Sequence, residues 1–531
     1  MKRRERSPHR DLNQLKTLRI LSRLLSCFPA FGICILAFAA AVPKAKAMGS
    51  DLVSDVSIAE TEESTAASPG MVIDRKKVAF DTGDEYTACR ITSLYPGAAE
   101  PLVFDIKGGN GRAVYFDSGK SEWMTIPLNG NLPDAVLFIE TDEEYAIVGP
   151  AVVYKPHGDG NLQDIGKHGD ISAVSSGLSC RISISFTLEA GTEAHIWMLR
   201  SEKRIVEWND NAREVWKRLD FNGSHRICYD GAYYISPSNY IPSGSGMYCR
   251  IPAVHPVVVL IDEHDRVSAE LSIVLLEEAL AHQNAEGYWP TPAESLWLKG
   301  DYGISSGFYD TRFNNDVTMR LFSAYRRFGD ERYLKAALLQ VDWLVRYVEE
   351  NSFPAGAGIL VEDYGGEDAT KTSKTHCSLN HLLQEIKVLL TASELTGNAG
   401  YEALAELMLD GIRGTEHLWI SGEKGLHYSI KPDMTPGGQD YPYLTYNDLY
   451  DVQEMLEARG KRDPVLDRLM ASKLRHMLKN NITGYKTYDF RDMPILLRKV
   501  MNEFKSVQAT PNIHRAEVDG NVYITGAKSA A

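Results

Sequence analysis

Phenol side chains are concentrated in one short stretch of this sequence. The segment QDYPYLTYNDLY, residues 439–450, holds four tyrosines in ten positions, Tyr441, Tyr443, Tyr446 and Tyr450, although aromatic residues make up only 9% of the chain. A phenol can pack in a core, stack on a sugar ring, or donate and accept a proton. A helical pattern begins here, so we interpret Tyr446 and Tyr450, about one turn apart, as core residues, and Tyr443 as a candidate site residue.

Two further loop-like segments carry side chains that can move protons or bind a polar ligand. They lie within residues 358–381 and 425–448 and provide Glu362, Asp363, Tyr364, Asn380, His381, His427 and Tyr428. Loops that connect helical hairpins gather at one end of a helical domain, which is a common place for a ligand cleft. The simpler interpretation is that Glu362 and Asp363 are solvated in a polar loop and that Asn380 caps a helix.

The charge of the chain excludes some classes of partner. Its 531 residues carry a formal charge of −14. Residues 1–47 hold ten Lys and Arg against two acidic residues, a charge of +8, so the remainder carries about −22. Nucleic-acid binding needs a basic face, and so acidic a body argues against it.

The N-terminal segment has the order of a secretory signal. A basic region precedes an apolar run from Leu24 to Val42, and Ala45-Lys46-Ala47 follows. We expect cleavage after this site, with an uncleaved membrane anchor as the alternative, because 19 apolar positions are just enough to span a bilayer. Both alternatives place the body of the protein outside the cytoplasm, secreted or periplasmic.

Cysteines and glycines give no sign of a metal or a cofactor. Five cysteines follow residue 47, and one or two disulfides among the first four are compatible with an oxidising compartment. There is no Cys-x-x-Cys pair, no histidine-rich cluster, and no Gly-x-Gly-x-x-Gly after a strand. We therefore expect no metal site and no cofactor.

The elements that must position these residues fall into two unlike halves. Residues 48–70 are small, polar and acidic, which predicts a flexible lead-in. Residues 71–262 alternate between short strand patterns and turn signals, which predicts an all-β sandwich or barrel. Helical periodicity fills residues 263–480, and residues 481–531 return to short strands in a C-terminal extension.

The helical half is predicted to form an incomplete (α/α) toroid. About seven helical patterns recur between residues 263 and 480, and several pairs are joined by short turns such as Gly329-Asp330 and Gly397-Asn398. Short links make antiparallel neighbours. The fold class is thus α+β and multidomain, with a β region followed by helical hairpins too few to close a ring.

The order of five segments in this half resembles the C-terminal catalytic domain of the D-glucuronyl C5-epimerases, which act on heparan-type glycosaminoglycans. The matching segments are DVTMRLFSAYRRFGDERYLKAA, VEDYGG, SLNHLLQEIKVLL, GLHYSI and YPYLTYNDLYDVQEML. The resemblance implies three catalytic tyrosines, matched here by Tyr364, Tyr428 and Tyr443, with Tyr446 as the alternative to the third.

The chemistry of such a reaction suits these residue types. Epimerisation at C5 of a uronate removes a proton next to a carboxylate and returns one to the other face, which needs an acid/base pair and neutralisation of the carboxylate. A phenol, with a reference pKa near 10, matches a weak carbon acid better than a free carboxylate does. Asn380, His381 and His427 are candidates to bind the carboxylate, with Tyr446 and Glu362 as further substrate contacts.

Three alternatives remain at this point. A polysaccharide lyase on the same scaffold would share the proton abstraction and then expel the C4 substituent. A glycoside hydrolase would need paired carboxylates, for which Glu362, Asp363 and Asp316 are the candidates. A non-catalytic carbohydrate-binding protein of exopolysaccharide assembly would use the tyrosines as stacking platforms.

The expected partner is an acidic polysaccharide that contains uronate. A homodimer is compatible with the sequence. Contact with a membrane is expected only if the N-terminal segment stays uncleaved.

Overall fold

The computed structural model describes residues 56–480 apart from gaps at 69, 100, 159, 218–224, 238, 242–245, 252–256, 258–259, 264, 367–370 and 423–424, together with residue 482 and the segments 515–518 and 521–524. The predicted signal segment, residues 1–47, and most of the predicted C-terminal extension lie outside this range. Within the described residues, no helix is long and apolar enough to cross a membrane.

The N-terminal half is built from strands, as predicted. They are β1 (Ile58–Ser68), β2 (Met71–Phe80), β3 (Glu85–Ser93), β4 (Gly97–Ala98), β5 (Leu102–Lys107), β6 (Arg112–Asp117), β7 (Glu122–Pro127), β8 (Gly130–Leu132), β9 (Leu137–Glu140), β10 (Tyr145–Val148), β11 (Val152–Pro156), β12 (Asn161–His168), β13 (Asp170–Ser175), β14 (Ser179–Ser185), β15 (Thr187–Leu188), β16 (Glu193–Ser201), β17 (His225–Cys228), β18 (Gly231–Ile235), β19 (Tyr240–Ile241) and β20 (Met247–Arg250). One short helix, α1 (Asp210–Trp216), interrupts them.

Most of these strands join one large antiparallel sheet. Its main order is β17-β18-β20-β12-β11-β16-β10-β9-β6-β7, and β1, β2 and β3 are attached through the pairing of β3 with β16. A second sheet has the order β5-β14-β13-β8. On β10, Ile147 packs into the core shared with the helices, whereas Ala146 and Val148 pack into the core that includes residues of the second sheet. The alternation of side chains along a strand thus buries both faces of the large sheet.

The predicted flexible lead-in is wrong for residues 58–68, which form strand β1. This strand pairs along its length with β2 in an antiparallel register. Its sequence is polar because the strand is largely exposed, and its glutamates face lysines across the pair: Glu62 opposes Lys77 and Glu63 opposes Lys76. The Nζ of Lys76 lies 3.2 Å from the carboxylate of Glu63.

The C-terminal half is helical. Its helices are α2 (Arg266–Ala281), α3 (Leu296–Tyr302), α4 (Thr311–Phe328), α5 (Glu331–Glu350), α6 (Leu379–Thr396), α7 (Ala399–Gly414), α8 (Glu416–Trp419), α9 (Leu444–Glu457) and α10 (Pro464–Lys479). Short strands lie between them: β21 (Glu294–Ser295), β22 (Tyr309–Asp310), β23 (Ser352–Ala355), β24 (Gly358–Val361), β25 (Tyr364–Gly365), β26 (Cys377–Ser378), β27 (His427–Ile430) and β28 (Pro436–Gln439). A separate hairpin, β29 (Arg515–Val518) and β30 (Asn521–Ile524), lies in the predicted extension.

The predicted helical hairpins are confirmed. Helices α4 and α5, α6 and α7, and α9 and α10 pack as pairs, and α2, α4, α6 and α9 pack one against the next in a row. Gly329 and Gly397 end α4 and α6 in the left-handed region, with φ of 72° and 70°, where glycine costs least. Closure of this row into part of a toroid stays a prediction.

Close backbone approach fixes α7 against the hairpin of β23 and β24. A Cβ atom added to Gly411 would lie 2.1 Å from the carbonyl oxygen of Ile359, and one added to Gly358 would lie 2.2 Å from the backbone nitrogen of Gly411. Only glycine permits this contact. The hairpin leads directly into the acidic segment of the candidate site.

One apolar core joins the two halves. It includes Tyr86 and Trp197 from the large sheet and Leu276, Leu321 and Leu382 from the helices. The five cysteines in the described part of the chain are all buried, and no disulfide of the kind that the sequence allowed joins any two of them.

Candidate functional site

Three short strands and their loops bring phenols together at one end of the helix row. Tyr364 lies on β25, Tyr428 on β27, and Tyr441 two residues after β28. The rings of Tyr428 and Tyr441 lie 5.6 Å apart, centroid to centroid, with their planes nearly perpendicular. Tyr364 lies close enough to Tyr428 to lower the pKa of Tyr428 against the larger effect of burial. The structure thus brings together two of the three predicted tyrosines, Tyr364 and Tyr428, with a third that was not predicted.

Strand pairing explains why these residues meet. β22 pairs with β25 so that Asp310 stands opposite Tyr364. β26, β27 and β28 form a three-stranded sheet in which Ser378 stands opposite Ser429, the residue after Tyr428. Asp310 and Ser378 are also the N-cap positions of α4 and α6. Helix starts and tyrosines are therefore held by the same short sheets.

The predicted third phenol, Tyr443, does not belong to this group. It is 2% exposed and packs with Tyr446 and Met477 in a separate apolar cluster. Tyr443 is the N-cap residue of α9, with φ −144° and ψ −13°, so the chain turns between Tyr441 and the helix. Tyr443 and Tyr446 thus pack in an apolar cluster, and Tyr441 is the tyrosine of this stretch whose ring contacts Tyr428.

A buried lysine fixes the backbone of Tyr441. The Nζ of Lys473 on α10 donates to the carbonyl oxygen of Tyr441. It also lies 2.6 Å from the carboxylate of Asp440, whose other oxygen accepts a hydrogen bond from Thr445 at 2.6 Å. The side chain of Tyr441 remains open to solvent, because the residue is 38% exposed. Tyr441 is thus an accessible phenol on a rigid backbone.

An imidazole that the sequence did not single out lies at the centre of the aromatic side chains. His376 is buried and packs against Trp297, Tyr302, Tyr364 and Tyr428. Its Nδ1 lies 2.8 Å from the hydroxyl oxygen of Tyr302. Trp297 is only half-buried, so it forms part of the rim of the pocket.

Asp363 is buried, and its predicted solvation is wrong. Its carboxylate accepts hydrogen bonds from the backbone nitrogen and the hydroxyl of Ser378, at 2.8 and 2.6 Å, and lies 3.2 Å from Nε2 of His376 and 3.8 Å from Nδ1 of His381. Burial alone would raise the pKa of Asp363, but the two histidines and the Ser378 hydrogen bonds outweigh it and lower the pKa. Asp363 is therefore an ionised carboxylate at neutral pH.

Asp310 has the opposite electrostatic character. Burial raises the pKa of Asp310 from 3.8 to about 7, and the nearby Asp363 adds to the increase, although the backbone nitrogen of Phe313 donates to this carboxylate at 3.0 Å. The charge of Asp310 in turn raises the pKa of Tyr364 and of Tyr441. The site thus holds one protonatable and one ionised carboxyl group.

Arg312 places a cation beside the phenols. Its guanidinium donates to Asp316 at 3.0 Å, to Asp448 at 2.6 Å and to the carbonyl oxygen of Asn380 at 3.1 Å. These bonds tie together the starts of α4, α6 and α9. The positive charge of Arg312 lowers the pKa of Tyr441 against the effect of burial, which is the larger of the two.

Two of the predicted carboxylate-binding residues lie in this pocket without a positive charge. The Nδ1 of His381 lies 2.8 Å from the hydroxyl oxygen of Thr311, and burial lowers the pKa of His381 to about 4. Asn380 follows the cap residue Ser378 instead of capping α6 itself. The buried Oδ1 of Asn380 has no hydrogen-bond partner among the described residues, which leaves an acceptor for a ligand.

The other two predicted contacts face elsewhere. His427 precedes Tyr428 on β27, and the alternation of side chains along a strand places it on the opposite face. Glu362 is fully buried instead of solvated, with its carboxylate 2.8 Å from both the Nζ of Lys371 and the backbone nitrogen of Thr375. Its role is to hold the loop in place.

Burial raises the pKa of every phenol of the pocket. The effect is largest for Tyr364 and Tyr428, whose pKa values lie well above 10. For Tyr302, burial raises the pKa to about 12. These phenols are neutral acids at physiological pH, and any phenolate among them needs an acceptor nearby.

Sequence reasoning missed five of these side chains: Trp297, Tyr302, Asp310, Arg312 and His376. Tyr441 stood in the tyrosine-rich stretch and could have been chosen, because Pro442 after it favours extended backbone and hence a loop. His376 stood within the polar segment 358–381 but had no distinguishing neighbour in sequence. Within the described part of the chain, no group of three His, Cys, Asp or Glu is arranged to hold a metal ion.

The sequence matches no protein-family model and no curated protein. Among solved structures, it is similar to a family 76 glycoside hydrolase from a bovine Bacteroides thetaiotaomicron strain, with 13% identity, a TM-score of 0.37, and coverage of 80% of this chain and 84% of that one. A D-mannose isomerase shows 13% identity and a TM-score of 0.32, over 45% of this chain and 61% of that one. The cellobiose 2-epimerase of Spirochaeta thermophila shows 11% identity and a TM-score of 0.33, over 43% and 57%.

These three neighbours are carbohydrate-processing enzymes by name. The chain spans less than two thirds of the isomerase and of the epimerase. All three TM-scores are below 0.5, so they carry no argument about the activity of this chain.

Proposed function

We propose that the protein is an extracytoplasmic enzyme that epimerises C5 of a uronate in an acidic polysaccharide. The observation that carries the proposal is the contact of three phenols, Tyr364, Tyr428 and Tyr441, at one end of the helix row. The order of segments that resembles the glucuronyl C5-epimerases supports it, with Tyr441 in place of Tyr443. Incubation with a panel of uronate polymers identifies the substrate polymer and its linkage.

The roles follow from exposure and ring contacts. We assign the acceptance of the C5 proton to Tyr428, because its ring contacts both the ring of Tyr441 and the imidazole of His376, 5.6 Å from each. Tyr441 returns a proton to the opposite face, because it is the most accessible of the three phenols. Tyr364 is 7% exposed and lies close enough to Tyr428 to lower its pKa against the larger effect of burial, so we assign it the role of a donor that supports a phenolate on Tyr428.

The carboxylate of the substrate must be neutralised as C5 loses its proton. Arg312 supplies a positive charge close to Tyr441, and Asp310, half-protonated near neutral pH, can donate a hydrogen bond instead of repelling an anion. The side chain of Asn380 adds a polar group beside them. His381 is neutral and therefore contributes as a hydrogen-bonding group only.

A glycoside hydrolase is the second candidate, and one observation favours it. Asp310 and Asp363 lie in one pocket with pKa values shifted in opposite directions, which is the pattern of a general acid paired with an ionised carboxylate. Asp363, however, is fully buried, and both of its carboxylate oxygens already accept hydrogen bonds from Ser378. The phenols are the more accessible groups, so epimerisation is preferred.

One set of incubations separates the candidates. Polymers containing glucuronate, mannuronate or iduronate are incubated with the protein in heavy water. Deuterium at C5 without chain cleavage supports the epimerase, and absorbance near 232 nm indicates a lyase. New reducing ends without that absorbance indicate the hydrolase. Binding without any of these products would reject catalysis and leave a carbohydrate-binding protein.

A further inference from the structure

A second group of aromatic and charged side chains lies on the β-rich half, where α1 meets the edge of the large sheet. Strand β7 is the last strand in the main order of this sheet, and Trp123 is its second residue. Trp208 comes just before α1, and Arg213 lies within it. All three side chains are half-buried, so part of each faces solvent. The catalytic roles proposed above use none of them.

The indole rings of Trp123 and Trp208 form a corner. Their centroids lie 4.9 Å apart, and their planes are inclined at 61°. The buried ring of Phe138 packs against both, with centroid distances of 5.9 and 5.1 Å. Nε1 of Trp208 donates to Oε1 of Glu140 at 2.7 Å, and Oε2 of Glu140 accepts from Nε of Arg112 at 2.8 Å. The sheet therefore holds the corner in place.

Arg213 places a guanidinium over this corner. Its Cζ lies 5.9 Å from the ring centroid of Trp123 and 5.5 Å from that of Trp208, within the range of cation–π contacts. Within the described part of the chain, no carboxylate pairs with this guanidinium and no carbonyl group accepts a hydrogen bond from it. The aromatic rings thus fix the cation while its N–H groups stay available to a ligand.

The acidic residues nearest to Arg213 in the sequence do not neutralise its charge. Glu214 pairs with Lys217. Among the described residues of α1, Asp210, one turn earlier, forms no ion pair with Arg213. The five N–H donors of a guanidinium form a planar fork that matches a carboxylate. In a chain with a formal charge of −14, this position therefore complements an anionic ligand.

We propose that Trp123, Trp208 and Arg213 form a second carbohydrate-binding site, which takes a carboxylate-bearing unit of an acidic polysaccharide. The guanidinium binds the sugar carboxylate through two parallel hydrogen bonds. The C–H face of the sugar ring packs against an indole, whose electron-rich face attracts these hydrogens. A neutral sugar makes only the second contact. The inference rests on the proposed function for the class of polymer, and not for the reaction.

Fluorine NMR of the whole chain labelled with fluorotryptophan tests this site without catalysis. The chain has eight tryptophans, and the signals of Trp123, Trp208 and Trp297 are assigned by their loss in single Trp→Phe variants. Trp297, on the rim of the phenol pocket, reports that pocket separately. The ligands are short oligomers of glucuronate and of mannuronate, each beside the neutral oligomer in which the carboxylates are reduced to hydroxymethyl groups. An acidic oligomer should shift the signals of Trp123 and Trp208 in a saturable way.

Two changes should weaken binding at Trp123 and Trp208 by about tenfold or more, the usual effect of losing a charge-assisted hydrogen bond. One is reduction of the carboxylates of the ligand, and the other is Arg213→Gln. Both together should weaken binding no more than either alone, because they remove the same contact.

Arg346→Gln is the matched control. Arg346 also lies over an indole, with its Cζ 5.4 Å from the ring centroid of Trp343, but it pairs with Glu286 at 3.7 Å. This variant removes the same charge from the chain and should leave the affinity at Trp123 and Trp208 unchanged.

The outcomes separate this site from the proposed function. If no acidic oligomer shifts the two signals, or if Arg213→Gln leaves the affinity unchanged, the site is rejected and Arg213 only packs α1 against the sheet. Equal affinity for a DNA oligomer would also overturn the assignment to a sugar. Exchange at C5 with shifts confined to Trp297 rejects the site alone. Shifts at Trp123 and Trp208 without any exchange keep the site and reject the proposed function.

Discussion

Asp310→Asn should raise the free energy of unfolding of the protein at neutral pH. The side chain caps α4 through a hydrogen bond from Phe313, and asparagine can accept the same bond. Burial raises the pKa of Asp310 from 3.8 to about 7. Between these two values, the unfolded chain releases the proton and the folded protein keeps it, so the free energy of unfolding falls as pH rises.

The magnitude follows from the difference of about three between the two pKa values. Each pKa unit corresponds to about 1.36 kcal/mol, so the buried carboxyl lowers the free energy of unfolding by about 4 kcal/mol once the pH exceeds 7. Asparagine does not titrate. The stability of Asp310→Asn relative to wild type should therefore rise by up to about 4 kcal/mol between pH 4 and pH 8.

Urea denaturation of both proteins at five pH values from 4 to 8 measures this change. Asp330→Asn is the matched control, because Asp330 caps α5 through Arg332. Burial of Asp330 would raise its pKa, but the hydrogen bonds from Arg332 outweigh it and lower the pKa. The stability that this carboxylate contributes is lost only as the pH falls below about 4, so the stability of Asp330→Asn relative to wild type should change little between pH 4 and pH 8. A pH-independent difference for Asp310→Asn would show that the carboxyl is not held protonated.

Three further outcomes are expected. Gly438→Ala should lower activity and cost about 1–2 kcal/mol, because Gly438 has φ +75° and a Cβ there would lie 2.9 Å from the Cβ of Tyr428; an unchanged rate would contradict it. Gly411→Ala should destabilise by about 1–3 kcal/mol in urea, because its Cβ would meet Ile359, although alanine is the better helix former. N-terminal sequencing of exported protein should show that residues 1–47 are absent; a start within residues 1–30 would favour an anchor.

The periodicity of the sequence predicted the helical hairpins because apolar residues alone determine which faces are buried. The burial of Glu362 and Asp363 was not predicted, because nothing in the sequence pairs these carboxylates with the groups that bind them. Asp363 accepts both of its hydrogen bonds from Ser378, and Glu362 accepts from Lys371 and Thr375. A buried segment whose polar side chains hydrogen-bond to one another has the same amino-acid composition as a solvated loop.

The positions of Tyr441 and Tyr443 in the sequence do not show which of the two faces the pocket, because this depends on the direction of the chain at the start of α9. Only Pro442 separates them, and Tyr443 is the N-cap residue of α9, whose dihedral angles turn the chain. The anchor that fixes Tyr441, Lys473, comes from the following helix, α10. Strand β1 was not predicted because its exposed, polar sequence has the composition of a linker. Its pairing with β2, which places glutamates opposite lysines, is visible only in the structure.

Rates of deuterium entry at C5 of a uronate polymer, compared between Tyr441→Phe and Tyr443→Phe, test the account most directly. Each change removes one hydroxyl and keeps the ring. Tyr441→Phe should slow exchange by about 10²–10⁴-fold, as loss of general acid/base catalysis does. Tyr443→Phe should exchange at close to the wild-type rate and alter stability instead. Near-normal exchange by Tyr441→Phe, with loss of exchange in Tyr443→Phe, would contradict the site proposed here.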